Sequence, residues 1–471
     1  MISNFLSKYR PNYLKTLVYM LQANIYDIKP SIEWFMRTKN FNRVMTRKTL
    51  VMTPKAKLLL AWLWLLIVVG WAISGYLILT QSFIVLISLI ILAPYVLAVG
   101  LVAPLAVGTV LIQRPHEKRI IAVAKNKLTA HKGIKIAIAG SFGKTTMKEI
   151  LGSVLAEGKN VAVTSGNMNT PLGISRFISS LDGSEEVLIF ELGEYYPGDI
   201  RDLCDLVQPD MGLITGINEA HLERFKTIDK TIAAIYELAD YLSDKPLWVN
   251  GESKLVVDNM RSDAIAYSQK GVGKLKVQHA KTGLQGTNFQ IVGGGIKLDL
   301  HSDLLGMHNV GPLAAGVAVA DHLGLTVKQI EAGIANTKPF EHRMQPAEAG
   351  GIWTIDDSYN GNPDGARVAI ELLGSLKVHR RVYVTPGLVE VGAATEVVHA
   401  QIGLLLADNA DVVLLVKNSV TPFIAKGLEA GNFKGELLLY DDGLSCLNAL
   451  SQITKPGDVV VLQNDWPDNY A

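Results

Sequence analysis

The sequence predicts an α/β protein in which two mostly parallel sheets, each covered by helices, follow a hairpin of two transmembrane helices. Three observations predict this architecture. Residues 58–113 contain no Asp, Glu, Lys, Arg or His, strand-like segments alternate with helical patterns from Gly133 onward, and a glycine-rich loop follows the first such segment. We expect N-terminal cytoplasmic or interfacial helices at 1–56, the hairpin at 57–113, a central domain at 114–338 and a C-terminal domain at 339–471.

The uncharged run is long enough for two membrane crossings, because at about 1.5 Å per helical residue it exceeds twice the ~30 Å hydrocarbon thickness. We expect spans at 58–79 and from 83 toward 112, a polar turn at 80–82, and kinks at Pro94 and Pro104. Basic residues on both sides place both ends in the cytoplasm, so the prediction is a two-span protein of the cytoplasmic membrane with cytoplasmic catalytic domains. The alternative is a buried core hairpin of a soluble protein. The flanking basic residues are Arg47, Lys48, Lys55, Lys57, Arg114, Lys118 and Arg119.

Composition and net charge exclude few classes of function. The formal net charge of +1 does not indicate a nucleic-acid partner, and the basic flanks fit a membrane lipid surface. Cys204 and Cys446 lack metal-ligand spacing, so we expect reduced, buried thiols. Apolar and basic residues interleave over residues 1–56. This pattern fits either two interfacial helices on the membrane or a helical pair packed on the soluble domain.

Two series of apolar segments predict the strands. The first series is followed by a small hairpin joined through Gly293–Gly295, and the second series has the layout of a Rossmann-like domain. The predicted strands are 134–139, 161–164, 187–192, 211–217, 247–250, 289–292 and 296–300 in the first domain, and 353–355, 382–385, 412–416, 437–440 and 459–462 in the second.

The loop after the first strand, Gly140-Ser-Phe-Gly143-Lys144-Thr145-Thr146, is a variant of the phosphate-binding loop, with Ile138 in place of the usual first glycine. Glycines let backbone N–H groups close on phosphates, the lysine reaches the β- and γ-phosphates, and a hydroxyl serves magnesium. The loop therefore predicts a P-loop-type ATPase domain that binds ATP with Mg²⁺. A chance Gly-Lys-Thr string in a surface loop is the alternative.

Three further strings accompany this loop. Glu191-Leu-Gly193 ends one strand, Asn218-Glu-Ala-His221-Leu-Glu223 follows the next, and His342-Arg-Met-Gln345 precedes Asp356-Asp-Ser-Tyr-Asn360. Together they resemble the Mur ligases, ATP-dependent amide-forming enzymes of cell-wall precursor synthesis. Within that family they are most similar to the type that adds D-alanyl-D-alanine to a muramoyl tripeptide. The resemblance covers about residues 130–465.

The resemblance implies a role for each matching residue. Lys144, Glu191 and His221 would be catalytic, with Thr145 and Glu191 on a first magnesium ion and His221 on a second. The implied ATP-binding residues are Gly140, Ser141, Gly143, Lys144, Thr145, Thr146, Asn309, Arg343, Asp357 and Tyr359, with Asn309 and Tyr359 near the adenine. The implied substrate-binding residues are Asn167, Asn169 and Thr170.

Each role has a structural alternative. Glu191 could cap a helix or sit in a salt bridge, although ligands of open sheets gather at the carboxyl ends of strands. His221 could be a structural histidine, Asp357 a turn residue and Tyr359 a core aromatic. We predict that His399 is structural rather than catalytic.

The sequence departs from the family pattern in several places. Mur ligases usually carry a carbamylated lysine about fourteen residues after the histidine, and Ile235 stands there; Glu237, Lys226 or Lys230 are the possible substitutes. The string at 463–468 also differs from the family pattern, so the identity of the incoming amine stays open. The hairpin stands where the family has a uridine-nucleotide-binding domain, so the acceptor could be nucleotide-linked or lipid-linked.

The functional prediction is an ATP-dependent amide ligase that joins D-alanyl-D-alanine to a muramoyl-peptide carboxylate through an acyl phosphate. Its expected partners are that acceptor, the dipeptide and membrane lipid. One alternative is a related ligase with another carboxylate and amine. The other is a membrane-tethered ATPase that makes no bond, for which the string at 357–360 would have no evident purpose.

Overall fold

The computed structural model describes residues 6–24, 26–41, 49–166, 168–218, 225, 227–359, 361–389 and 391–464. They divide into two compact units, one before Ile120 and one beginning at Ile120.

The first unit is helical. Of the helices that the structure describes, two are long and apolar enough to cross a membrane by length and composition: Pro54–Leu79 and the nearly continuous run Phe83–Ala130. Thr53 begins the first of them, because its side chain accepts a hydrogen bond from the Ala56 N–H and Pro54 follows at the first helical position. The helices, in chain order, are α1 (Tyr13–Ala23), α2 (Ile28–Arg37), α3 (Pro54–Leu79), α4 (Phe83–Gly100), α5 (Val102–Gly108) and α6 (Arg114–Ala130), which continues into the second unit.

The two prolines of the hairpin behave differently. α4 continues through Pro94, whereas the helix is interrupted at Leu101, one turn before Pro104. A proline leaves the carbonyl four residues before it without its helical partner. The Ile90 carbonyl accepts a hydrogen bond from the Tyr9 hydroxyl at 2.7 Å, and the Gly100 carbonyl accepts one from the Trp62 indole N–H at 2.9 Å. These contacts satisfy both carbonyls.

The N-terminal helices pack against the hairpin. Tyr13, Leu17 and Val18 of α1 are buried in a cluster with residues of α3 and α5 such as Leu63 and Leu105. Neither sequence alternative anticipated this packing. The periodicity of residues 1–56 shows an apolar face but does not show which surface covers it.

The second unit begins with a ten-stranded sheet. Its order is β10-β9-β8-β7-β6-β5-β4-β1-β3-β2; β1 to β6 are parallel and β7 to β10 extend the sheet in antiparallel fashion. The strands are β1 (Ile134–Ala139), β2 (Val161–Val163), β3 (Val187–Glu191), β4 (Met211–Ile214), β5 (Leu247–Asn250), β6 (Ile265–Ser268), β7 (Gly271–Val272), β8 (Leu275–Gly283), β9 (Gly286–Gly293) and β10 (Ile296–Ser302).

Helices cover both faces of this sheet, so β1 is buried on both sides. Ile136 and Ile138 point into one apolar cluster, and Ala137 and Ala139 point into the other. The helices are α7 (Lys144–Ala156), α8 (Pro171–Ser180), α9 (Asp199–Val207), α10 (Ile228–Leu242), α11 (Lys254–Val257), α12 (Val310–His322) and α13 (Val327–Ala335).

A six-stranded sheet follows in the order β11-β12-β16-β13-β14-β15, parallel except for the β11/β12 pair. Its strands are β11 (Gln345–Ala349), β12 (Ile352–Asp357), β13 (Arg381–Thr385), β14 (Val412–Val416), β15 (Glu436–Tyr440) and β16 (Val459–Gln463). Its helices are α14 (Pro363–Ser375), α15 (Thr395–Asn409), α16 (Thr421–Ala430) and α17 (Gly443–Ile453).

The α/β prediction with parallel sheets is confirmed, and every predicted strand segment is present. β6, β7, β8 and β11 were missed, and β4 ends at Ile214 rather than at residue 217. It ends early because the Gly216 carbonyl accepts hydrogen bonds from the Ser141 and Phe142 N–H groups of the glycine-rich loop. Both cysteines are buried free thiols, as predicted.

Candidate active site

The glycine-rich loop lies at the carboxyl edge of the first sheet. Ile138 of β1 is level with Glu191 of β3, and Ala139 is level with Ile214 of β4, so three strand ends meet around the loop. Gly140 has φ +144°, and a Cβ there would lie 2.2 Å from the Thr215 Oγ1. Only glycine fits this turn, which leads into the N-terminus of α7.

Lys144 is held by a carboxylate that sequence reasoning missed. Its Nζ lies 3.0 and 2.9 Å from the two carboxylate oxygens of Glu194, and it also donates to the Gly140 carbonyl. Glu194 is only 2% exposed. Burial raises the pKa of Glu194, and the Lys144 ammonium opposes that rise. Its position just after Glu191-Leu-Gly193, beyond the end of a buried strand, was the available sequence signal.

Glu191 sits at the centre of a second group of contacts. Its Oε2 accepts a hydrogen bond from the Thr145 hydroxyl at 3.0 Å and lies 3.4 Å from the Lys148 Nζ. Its Oε1 accepts a 3.4 Å bond from the Asn169 amide. Lys148 is fully buried, and it too was missed by sequence reasoning. Thr145 and Glu191, both predicted to bind the first magnesium ion, therefore contact each other in the structure.

Six of the predicted ATP residues line one cleft of about 1040 Å³, at the upper end of the volumes usual for small-ligand sites. Residues of both sheet domains contribute to its wall. The predicted residues in this wall are Gly143, Thr146, Asn309, Arg343, Asp357 and Tyr359.

Asn309 and Ser141 carry free polar atoms suited to a polar ligand. The Asn309 amide nitrogen donates to the Leu305 carbonyl at 2.7 Å. The Asn309 Oδ1 and the Ser141 Oγ are buried and have no hydrogen-bond partner in the described part of the chain. Buried polar atoms are rarely left unpaired, so these two fit a ligand that donates or accepts hydrogen bonds.

Arg343 stacks on the ring of Tyr359, with its guanidinium carbon 5.0 Å from the ring centroid. His342 and Met344, on either side of Arg343, have φ of +60° and +46°, a conformation that is uncommon for residues with side chains. This turn, which joins α13 to the second sheet, directs Arg343 to the cleft wall.

Asp357 and Asp356 differ in the direction of their pKa shifts. Burial raises the pKa of Asp357 to about 7, although the Met344 N–H donates to its carboxylate at 3.2 Å. The pKa of Asp356 is lowered, because hydrogen bonds from Ser358 and His342 outweigh its burial. The His342 Nδ1 lies 2.7 Å from the Asp356 carboxylate, and this bond raises the pKa of His342. Asp357 is thus the carboxyl of this strand end that titrates near neutrality.

Of the other predicted site residues, His221 and Asn167 lie outside the described residues, and the rest make structural contacts. The Thr170 hydroxyl accepts a hydrogen bond from the Gly173 N–H and caps α8, and the Asn169 carbonyl accepts one from the Gly193 N–H. His399 is buried between the Leu388 N–H and the Thr395 carbonyl, as a structural histidine should be.

The position of the family's carbamylated lysine lies in the apolar core. Ile235 is fully buried among residues of α9 and α10. The two carboxylate oxygens of Glu237 accept hydrogen bonds from the Gly198 and Arg201 N–H groups at the start of α9. Lys230 is exposed on α10, and Lys226, the third substitute considered from the sequence, lies outside the described residues.

Thr145 and Glu191 form a set of donor atoms that fits magnesium. Mg²⁺ is usually held by one or two carboxylates, waters and substrate phosphates, and Thr145 with Glu191 supplies a hydroxyl and a carboxylate beside the loop. Within the described ranges, no group of three or more His, Cys, Asp or Glu side chains is placed to hold a metal ion. The phosphates of the nucleotide would therefore have to supply further ligands.

Two domain profiles match this chain. The profile of the Mur ligase middle domain matches residues 138–320, and that of the Mur ligase glutamate ligase domain matches residues 342–463, which together are nearly two thirds of the chain. The chain belongs to the Mur ligase family. The resemblance drawn from the sequence strings is confirmed.

Relatives of this Mur ligase include two proteins named UDP-N-acetylmuramoyl-tripeptide–D-alanyl-D-alanine ligase. That of Bacillus subtilis is 24% identical over 366 residues, covering 75% of this chain and 80% of the relative. That of Escherichia coli is 28% identical over 281 residues, covering 57% of this chain and 61% of the relative, which is less than two thirds of its length.

Solved structures share the fold. MurF of Thermotoga maritima in complex with ADP superimposes with a TM-score of 0.66 at 24% identity, covering 74% of this chain and 80% of that one. MurF of Acinetobacter baumannii gives 0.65 at 24% identity, with 74% and 77% coverage.

Proposed function

We propose that this Mur ligase joins D-alanyl-D-alanine to the carboxylate of a muramoyl peptide, using ATP and magnesium, at the cytoplasmic membrane. The names of its relatives support this substrate pair. The observation that carries the proposal is the convergence of residues from both sheet domains on one cleft beside the glycine-rich loop. A ligase needs such a cleft, because nucleotide, acceptor and amine must meet where water is excluded.

The proposed chemistry has two steps. An acceptor carboxylate oxygen attacks the γ-phosphorus of ATP, the bond to ADP breaks, and an acyl phosphate forms. The amine then attacks the acyl carbon, phosphate leaves with the carboxylate oxygen, and the amine loses a proton as the amide forms. Most of the catalysis in phosphoryl transfer comes from positioning and charge stabilisation.

The chain's own residues would divide these tasks. Lys144 would contact the β- and γ-phosphates, and Thr145 with Glu191 would hold Mg²⁺, which supplies charge neutralisation when bound. Arg343 and Tyr359, stacked at the cleft wall, would position the nucleotide. Asn169 is tied to Glu191 and to Gly193, so an acceptor bound there would lie beside the metal ligands.

Membrane attachment is part of the proposal. The two long apolar helices support it, and the paired carbonyls at Ile90 and Gly100 suit a hydrocarbon environment. An anchored enzyme meets a lipid-linked acceptor at a high effective concentration, whereas a nucleotide-linked acceptor gains nothing from the anchor.

The test is phosphate release by the full-length protein in detergent micelles, measured with each acceptor and amine alone and together. Nucleotide-linked and lipid-linked muramoyl peptides form two arms, and D-alanyl-D-alanine is compared with L-alanyl-L-alanine. The proposal requires release only when a muramoyl peptide and D-alanyl-D-alanine are both present. Equal release without either one would support the membrane-tethered ATPase instead.

A further inference from the structure

Glu194 is a buried carboxylate at the phosphate loop that the chemistry above does not use. It lies between the end of β3 and the start of α9, and its side chain is 2% exposed. The lysine that contacts it, Lys144, is the residue that must reach the phosphates. This contact places a negative group where phosphate charge would otherwise be attracted.

The Lys144 ammonium is directed at Glu194 in this arrangement. Its acceptors are the Gly140 carbonyl and the two oxygens of the Glu194 carboxylate. A phosphate oxygen that binds Lys144 must share the ammonium with Glu194, so a polyanion arrives beside that carboxylate.

The lysines beside the loop are already paired with carboxylates. Lys144 faces Glu194, and Lys148 faces the buried Glu191 and the partly exposed Glu149. Burial raises the pKa of Glu194, Glu191 raises it further, and Lys144 opposes both effects. A triphosphate adds several negative charges to this poorly solvated site, and an added cation offsets them.

We propose that Glu194 makes this site select the magnesium complex of ATP over the free nucleotide. It does so by occupying Lys144 and by repelling phosphates whose charge is not offset. Replacing Glu194 with a neutral isostere removes the repulsion and leaves Lys144 free for phosphate. This inference rests on the proposed ATP site but not on the identity of the acceptor or the amine.

The experiment is calorimetric titration of the full-length protein with ATP, once in excess Mg²⁺ and once in EDTA. The quantity of interest is the ratio of the Kd in EDTA to the Kd in Mg²⁺. At about 5 Å and an effective dielectric constant of about 20, removal of one charge should lower this ratio at least ~10-fold in Glu194→Gln. Glu194→Asp keeps the charge and should keep a high ratio.

Glu149→Gln is the matched control. Glu149 is also an acidic partner of a loop-proximal lysine, but its side chain is 37% exposed and it contacts Lys148 rather than Lys144. Its ratio should equal that of the wild type. A merely structural role for Glu194 would weaken ATP binding equally in both buffers, so an unchanged ratio in Glu194→Gln overturns the inference.

A measurement on the wild type keeps the inference testable if Glu194→Gln does not fold. Since the repulsion acts on the β- and γ-phosphates, ATP in EDTA should bind no more than about 10-fold tighter than AMP in EDTA. A larger advantage for free ATP would overturn the role of Glu194. Failure of the wild type to bind ATP in Mg²⁺ would instead overturn the ATP site itself.

Discussion

Lys148→Met tests the charge pairing beneath the metal-binding residues. Lys148 is fully buried, its Nζ lies 3.4 Å from the Glu191 Oε2 and 3.3 Å from the Glu149 Oε1, and it donates to the Gly166 carbonyl. Methionine keeps the length of the side chain but removes the charge. Glu191 is then a buried carboxylate without a cation. Removing one partner of a buried ion pair costs about 3–5 kcal/mol, and the bonds from Thr145 and Asn169 place the expected loss near 3 kcal/mol.

Lys159→Met is the matched control, because it removes the same group from a solvated pair. The Lys159 Nζ lies 3.7 Å from the Glu186 carboxylate, and these side chains are 29% and 54% exposed. Such a pair contributes at most about 1 kcal/mol. The two substitutions should therefore differ by roughly 2 kcal/mol in the free energy of unfolding.

A buried thiol provides the assay. Cys204 lies in the core of the first sheet, and burial raises its pKa to about 12, so a maleimide reacts with it only when the domain opens. Labelling of Cys204 against urea concentration, read by mass spectrometry of its peptide, gives the free energy of unfolding for full-length protein in micelles. Equal losses for Lys148→Met and Lys159→Met would refute the reasoning. Adding Glu191→Gln to Lys148→Met should recover at least about 1 kcal/mol.

Three further predictions concern the loop, the cleft and the membrane. Lys144→Ala should lower ligation about 10³-fold, because charge neutralisation is lost. It also leaves the buried Glu194 without its cation, a loss of about 3 kcal/mol that is smaller than the usual stability of a domain, so Cys204 should stay protected in the absence of urea. Ligation within a few-fold of wild type would contradict this. Between pH 4 and 7 the protein should lose roughly 1–3 kcal/mol of stability, because Asp357 ionises in the unfolded state while burial keeps it protonated in the fold. Asp357→Asn should not show this loss, and parallel pH profiles of thermal unfolding would oppose the prediction. In intact cells, an impermeant maleimide should label Gln81→Cys and not Lys118→Cys, and the reverse result would exclude the proposed topology.

Strands and the phosphate loop were predictable because their signals are local. The alternating strands around Ile136 and Val413 and the glycines at 140 and 143 leave a pattern within a few residues. The antiparallel extension was harder, because Gly271–Val272 is too short for any periodicity and β8 exposes polar residues such as Lys276 and Gln278. Thr170 before Pro171 was a readable helix start, and the structure shows that cap.

The pairings of the site were not predictable, because they depend on how distant segments meet. Lys144 and Glu194 are fifty residues apart in sequence, and their contact depends on the register of β1 and β3. The positive φ of Met344 has no sequence signal, since methionine is not among the residues enriched in that conformation. Ile235 could be recognised as a departure from the family, but only the structure shows it buried in the core.

The measurement that tests the central claim most directly follows the oxygen of the acceptor carboxylate. A muramoyl peptide labelled with ¹⁸O in that carboxylate is incubated with ATP, Mg²⁺, D-alanyl-D-alanine and the full-length protein, and the released phosphate is analysed by mass spectrometry. Transfer of the γ-phosphoryl group to the carboxylate predicts one ¹⁸O atom in each phosphate released and one dipeptide added to the acceptor. Phosphate without ¹⁸O, released at the same rate in the absence of the peptide, would show that ATP is hydrolysed by water and would contradict the ligase.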